Sequence, residues 1–206
     1  MPDWDRNSTQ LQKNLETVAE AVRDHAHARR EPSIDQARQW HKGIMTGLQV
    51  PPPARSSWVG HFRGESGPEA IHIYVGGGEG IDPSRVADEL SRFEERLRAA
   101  VSYLDEKIPP GTLPNTATLE MVLRLMGWVH GEWARIHPFA NGNGRTARLW
   151  ANWVAMRYGV PPFVRLRPRP EGAAYAAAAT QAMDGNYEAM IPVFHSMLQQ
   201  FLNEER

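Results

Sequence analysis

The chain has 206 residues, 41% of them hydrophobic, which is enough to bury one substantial core and favours one domain over two. A formal net charge of −1 and a pI near 6.7 exclude a global pull toward nucleic acid or anionic membrane, and the lack of any cysteine excludes disulfides, thiol catalysis and cysteine-ligated zinc. The polar, acidic start Met1-Pro-Asp-Trp-Asp-Arg6 has no apolar core, and no apolar run reaches ~18 residues, so the expectation is a soluble, cytoplasmic protein with no membrane or nucleic-acid partner; delivery into another cell by a signal-less route stays open.

Leu11, Leu15, Val18 and Val22 recur at three and four residues and predict an amphipathic helix from near Ser8 to His27. On it, His25 and His27 are two apart, do not face each other, and read as a solvated helix end rather than a metal site. Ser33 followed by Gln36 predicts a capping box opening a second helix through Trp40, His41 and Met45 toward Leu48, stopped by Val50-Pro-Pro-Pro-Ala54. From Trp58 to Gly78 the texture changes. The Gly64-Glu-Ser-Gly-Pro68 turn, the β-branched stretch Ala70-Ile-His-Ile-Tyr-Val75 and three glycines predict a short hairpin. The glycine loop from Gly76 to Gly80 lacks Gly-Lys-Ser/Thr, so it is a hairpin exit and no phosphate-binding P-loop.

Asp82-Pro83 is a cap and first-turn pair for a helix carrying Val86, Leu90, Phe93 and Leu97. After the Pro109-Pro-Gly-Thr-Leu-Pro114 break, Thr116 or Thr118 caps a helix whose stripe of Leu119, Val122, Leu123, Met126, Val129 and Trp133 delivers His137 to a loop. Leu149, Trp150, Trp153, Val154 and Met156 mark a strongly apolar, central helix ending at Gly159. The tryptophans Trp128, Trp133, Trp150 and Trp153 stand at helical spacing and read as core rather than as a base-stacking platform. Arg165-Leu-Arg167-Pro-Arg169 reads as a solvated loop able to rim a nucleotide or target site. An alanine-rich helix over 171–183 and a last helix capped by Asn186, with Tyr187, Met190, Ile191, Phe194 and Leu198 inward, complete the chain.

The densest chemistry lies in His137-Pro-Phe-Ala-Asn-Gly-Asn-Gly-Arg-Thr-Ala-Arg148. Gly142 and Gly144 flank Asn143, a residue that also tolerates left-handed backbone, and such a turn points successive N–H groups at an anion. A helix starting near Gly144 adds its free amides and dipole. Arg145 and Arg148 fall on one helical face and can both clamp phosphate oxygens, and a neutral His137 just ahead can take a proton from an attacking hydroxyl. The segment reads as a phosphate-handling active site.

This run resembles the signature of the Fic family, His-Pro-Phe-x-Asp/Glu-Gly-Asn-Gly-Arg-x-x-Arg, departing from it only at Asn141. Trp58-Val-Gly-His-Phe-Arg63 is similar to the Trp/Tyr-Ala-Gly-x-Phe-Arg segment ahead of the family's flap. The resemblance implies a mainly α Fic fold, a helical bundle around a motif-bearing helix pair with one β-hairpin flap. It implies one domain over 1–206, with N-terminal helices at 8–48, the flap near 58–78, core helices and motif loop at 82–158 and C-terminal helices at 171–204. It further implies a protein adenylyltransferase moving AMP from ATP to a Ser, Thr or Tyr hydroxyl of a target protein, toxin- or effector-like, with an antitoxin-like inhibitor as partner.

By the same resemblance His137 is the general base. Gly142, Asn143 and Gly144 form the anion-binding turn, Asn143 also offering its side-chain amide, and Arg145 and Arg148 hold the β and γ phosphates. Ile71, His72, Ile73 and Tyr74 form the target-docking edge of the flap. Position 141 is the Mg²⁺ ligand. Asn141 offers that metal a carbonyl without charge, which leaves three outcomes: weaker Mg²⁺ binding, another donor with phosphate, phosphocholine or UMP transfer, or a silent nucleotide- or partner-binding module. The family's inhibitory string Ser/Thr-x-x-x-Glu-Gly/Asn does not occur, and Glu16 and Glu20 on the first helix are weak substitutes for pairing with Arg148.

Overall fold

The computed structural model describes residues 8–50, 54–75 and 78–204. Within them the helices are α1 (Thr9–His27), α2 (Ile34–Met45), α3 (Val86–Lys107), α4 (Thr116–Ile136), α5 (Asn143–Arg157), α6 (Ala173–Met183) and α7 (Met190–Glu204), with 3₁₀ turns at Ser56–Trp58, Pro83–Arg85 and Tyr187–Ala189. None of these helices is long and apolar enough to cross a membrane.

Local chemistry sets the ends of the helices. Ser8 caps α1 by accepting from the Leu11 N–H, and Asp82 accepts from the Ser84 N–H to open the 3₁₀ turn that leads into α3. Five expectations are corrected. Ser33 caps α2 through the Asp35 N–H and not through a reciprocal box with Gln36, and α2 ends at Met45, short of Leu48. Asn115, not Thr116 or Thr118, caps α4, because its carboxamide oxygen reaches the Thr118 N–H at 3.0 Å. Asn186 makes no cap bond and donates instead to Gln181, so a 3₁₀ turn precedes α7. His25 is no solvated end: it is buried and its Nδ1 accepts from Trp153 Nε1–H at 2.9 Å.

In the region expected to form the hairpin, strand pairing is confined to β1 (Tyr74–Val75) against β2 (Gly78–Glu79), antiparallel; Gly76 and Gly77 lie outside the described residues. The Gly80 N–H bond to Ile73 O at 2.8 Å continues the same register by one step; further upstream the chain is turns and extended segment, with Ile71 O taken by Arg63.

Helix α5 is the hub. It packs most extensively on α4, then on α1 and α2, and Trp150, Trp153 and Val154 are fully enclosed. Trp150 meets Trp40 of α2 edge-on at 4.6 Å between centroids, Trp153 at 5.6 Å and Trp133 of α4 at 5.9 Å, so aromatic faces and edges fill the centre. Trp128 is only half-buried and stacks on Phe93 at 5.3 Å. Arg157, at the end of α5, would be a costly buried cation, but Asp105 of α3 takes its Nη2 at 2.6 Å and the Arg30 carbonyl its Nη1 at 2.9 Å. The Trp133–Trp150 contact packs α5 on the C-terminal part of α4, beside the motif loop.

Candidate active site

The loop between α4 and α5 is built from unusual backbone. His137 is the C-cap of α4 with φ +52°, a left-handed position rare for a non-glycine residue, and Gly142 is the N-cap of α5 with φ +80°. At Gly142 a Cβ would stand 3.0 Å from Met45 Cε and 3.3 Å from His41 Cδ2, so both space and dihedral require glycine. Directly after Gly142, the Asn143 carboxamide accepts from the Phe139 N–H at 2.8 Å and donates to the Phe139 carbonyl at 2.7 Å. Its side-chain amide therefore closes the loop, and the expectation that this group faces an anion is corrected. What the turn offers a ligand is backbone: the N–H groups of Arg145 and Thr146 are used on Gly142 O, while those of Asn143 and Gly144 precede any intrahelical acceptor. The helix begins at Asn143, one residue ahead of the position expected.

Two side chains that sequence reasoning did not single out hold this loop. His41 of α2 is fully buried, stacked on Phe139 at 3.9 Å and nearly parallel to it. Its Nδ1 accepts from the Gly60 N–H at 2.9 Å, so Nε2 carries the hydrogen and donates to the Asn141 carbonyl at 3.0 Å. Arg63, 1% exposed, donates from Nε to His137 O at 2.8 Å, from Nη2 to Ile136 O at 3.0 Å and from Nη1 to Ile71 O at 3.0 Å. Its own N–H reaches Pro138 O at 2.7 Å. The guanidinium thus caps the negative end of α4 and ties it to the extended segment bearing Ile71. The only sequence signal was the Gly60-His-Phe-Arg63 string, whose spacing says nothing of which carbonyls the arginine finds.

His137 is itself half-buried. Its Nδ1 lies 3.0 Å from the Ala134 carbonyl, which fixes the hydrogen there and leaves Nε2 with the lone pair. Burial pushes its pKa down to about 4, helped by the Arg63 charge and opposed by the Ala134 bond. It is neutral at pH 7, as a proton acceptor must be.

His137, Asn141 to Arg145 and Arg148 line one cleft of about 1100 Å³. The opposite rim comes from His72, Ile73 and Tyr74; the far wall comes from His130, the Arg167–Arg169 loop and α6. Arg145 donates to Asn141 Oδ1 at 3.1 Å, and Arg148 to the Leu166 carbonyl at 3.0 Å. His130 is buried and bonds the Tyr175 hydroxyl at 2.9 Å. From α1 the wall is Leu11 and Gln12; Glu16 and Glu20 are exposed, Glu16 accepting from Gln12. Of the expected site residues, Ile71 is absent from the cleft lining, its carbonyl being held by Arg63. Tyr74 is 70% exposed at the rim.

The buried imidazoles have a consequence for stability. Burial lowers His41 and His130 from 6.5 to about 3, aided by Arg145 beside the former and by Arg148 and Arg169 beside the latter, and His137 to about 4. Between the unfolded value and those folded values the unfolded chain binds more protons, so stability falls as pH drops from 6.5 toward 4 and is flat with respect to these groups above about 7. The carboxylates Glu65 and Glu132, held low through Arg38 and Arg135, act in the same direction as they protonate. Urea midpoints measured from pH 7.5 to 4.5 should decline steadily, and a His130→Phe variant should decline less steeply.

The family model described as Fic/DOC matches residues 31–155. Among curated proteins the chain is 33% identical over 108 residues to protein adenylyltransferase Fic of Culex quinquefasciatus, covering 52% of this chain and 19% of that one. It is 33% identical over 134 residues to protein adenylyltransferase fic-1 of Caenorhabditis elegans, covering 65% and 21%. The chain spans about a fifth of the length of the curated relatives it matches. Among solved structures, Fic-1 of Caenorhabditis elegans aligns over all of this chain and 54% of that one, with TM-score 0.60 and 20% identity. BepC of Bartonella tribocorum with bound AMPPNP aligns over 93% and 87%, with TM-score 0.56 and 15% identity. These likenesses bear on the fold.

Proposed function

The chain belongs to the Fic/DOC family, and on that premise we propose that it transfers AMP from ATP to a hydroxyl of a target protein. Relatives at about this identity are named protein adenylyltransferases. The observation that carries the reading is the position of His137, neutral, with its lone-pair nitrogen set by the Ala134 bond, in the same cleft as the α5 N-terminus and Arg148.

In this reading the target hydroxyl oxygen attacks the α-phosphorus as Nε2 of His137 takes its proton. The new O–P bond forms as the bond to the bridging oxygen breaks, and pyrophosphate leaves. The amides of Asn143 and Gly144 with Arg145 and Arg148 stabilise charge growing on the leaving group. The short β1–β2 ladder is the flap: Tyr74 is exposed, and Ile73 and His72 rim the cleft, which suits an extended target segment adding to that edge. The shared buried core of all helices supports treating 1–206 as one Fic domain. ATP is the substrate; an antitoxin-like partner would have to reach a cleft whose α1 wall is the neutral pair Leu11 and Gln12.

Mg²⁺, which the family resemblance implies, does not fit the residues present. Among the described residues the cleft lining has no carboxylate, no group of three His, Cys, Asp or Glu exists to hold a metal, and Asn141 Oδ1 already accepts from Arg145. Incubation of the protein and a cell lysate with α-labelled and γ-labelled ATP in parallel tests the reading. Protein label from the α position alone is the expected result; label from γ means phosphate transfer, and none from either removes ATP as donor.

A further inference from the structure

Four arginines face the cleft, Arg145 and Arg148 from α5 and Arg167 and Arg169 from the loop that follows it, and the described lining residues include no Asp or Glu. A divalent cation is normally held by one or two carboxylates together with substrate phosphates, because dehydrating it requires strong anionic oxygens. Here the one oxygen at the expected position, Asn141 Oδ1, sits 3.1 Å from the Arg145 Nη2 that donates to it. A cation on that oxygen would stand against a guanidinium and meet like-charge repulsion in a partly enclosed site.

Resting on the nucleotide reading above, we propose that the cleft binds its nucleotide as the metal-free polyphosphate, with Arg167 and Arg169 supplying the positive charge that a carboxylate-bound divalent cation would otherwise bring. Two observations support it. Arg148 is 5% exposed, its Nη2 is satisfied by the Leu166 carbonyl, and its Nε is buried with no hydrogen-bond partner, a state that the oxygens of an anion would relieve. The loop bearing the other two arginines is also anchored and not adrift. Asn152 of α5 exchanges two hydrogen bonds with Val164, at 2.8 and 3.0 Å, and Arg148 itself holds Leu166. Arg167 reaches the Ser8 carbonyl at 3.3 Å, and the Arg169 guanidinium stands 5.6 Å from the centre of the Tyr175 ring. Side chains of the central helix thus anchor the loop at Val164 and Leu166, and both arginines beyond it line the cleft.

The binding of ATP, and separately of inorganic tripolyphosphate, is measured by calorimetry in excess EDTA and in Mg²⁺. For the unaltered protein the affinity in EDTA is expected to equal or exceed that in Mg²⁺. The double variant Arg167→Gln, Arg169→Gln should lose about tenfold or more in EDTA, with a smaller loss in Mg²⁺, where the cation already neutralises the phosphates. Asn141→Asp, which restores a carboxylate beside Arg145, should weaken binding in EDTA and recover it with Mg²⁺. Binding of ATP by the unaltered protein only when Mg²⁺ is present overturns the proposal and leaves the nucleotide site standing. Unchanged affinity of the double variant in EDTA also overturns it. No ATP binding in either buffer removes the nucleotide site, and the proposal with it.

Discussion

Replacing His137 with Ala is expected to lower AMP transfer by roughly 10²–10⁴-fold, the usual contribution of a positioned general base, while leaving ATP affinity within about twofold, since the imidazole acts on the hydroxyl and not on the phosphates. The expectation follows from the tautomer. Nδ1–H is committed to the Ala134 carbonyl, so the only nitrogen able to accept a proton is Nε2. With a pKa near 4 the ring is almost wholly unprotonated at neutral pH. Such a base is available but weak, so the rate should rise with pH through the region of 4 and then level off. Because position 137 has φ +52°, Ala brings backbone strain on the order of 1 kcal/mol, whereas Asn tolerates that region. His137→Asn therefore separates loss of the base from distortion of the loop. Both variants should be inactive, with calorimetric ATP binding retained. Labelling by either at the unaltered rate would dismiss His137 as the base.

The same residue shows how far the sequence could be read. Helix positions followed from apolar spacing, and α5 was recognisable as central because its tryptophans cannot be solvated at such density. The motif groups His137, the two arginines and the glycine turn, and in the structure they line one cleft. What sequence spacing could not show was the direction of polar side chains. Asn143 resembles an anion ligand in one dimension, yet its carboxamide matches the donor and acceptor of the Phe139 peptide four residues back and is used there. Asn115 outcompeted two threonines as a cap, since an Asx side chain reaches the third N–H without a β-branch restricting it. The β-branched residues before Val75 suggested more strand than the two paired residues on each side; pairing fails where Arg63 has claimed the Ile71 carbonyl. Long-range partners, separated by 73 and 74 residues in the case of Arg63 with Ile136 and His137, leave no periodic trace.

Those partners make Arg63 the position where a substitution should do most damage to the fold around the site. Arg63→Met keeps much of the volume and apolar stem but removes three donors at once, leaving the Ile136, His137 and Ile71 carbonyls without them in a region where the side chain is 1% exposed. Hydrogen bonds from a charged donor are worth roughly 1.5–3 kcal/mol each, and lost bonds in one network do not add, so a destabilisation of about 3–5 kcal/mol is expected in urea titrations. The arginine's own pKa, lowered by burial to about 10, still leaves it charged at pH 7. Removing that charge also takes away the repulsion that helps hold His137 low, and the pKa of the ring should move upward in an NMR titration of the variant. Arg63→Lys retains the charge but can satisfy fewer of three carbonyls arranged for a planar fork. Its stability should fall between the two, and its His137 titration should stay close to that of the unaltered protein. A loss of stability with no change in the His137 titration would assign Arg63 to capping α4 alone. The paired shift would show that one buried guanidinium both closes the helix and adds to the effect of burial in lowering the proton affinity of the base, the two roles being inseparable because the carbonyl it caps is that of His137 itself.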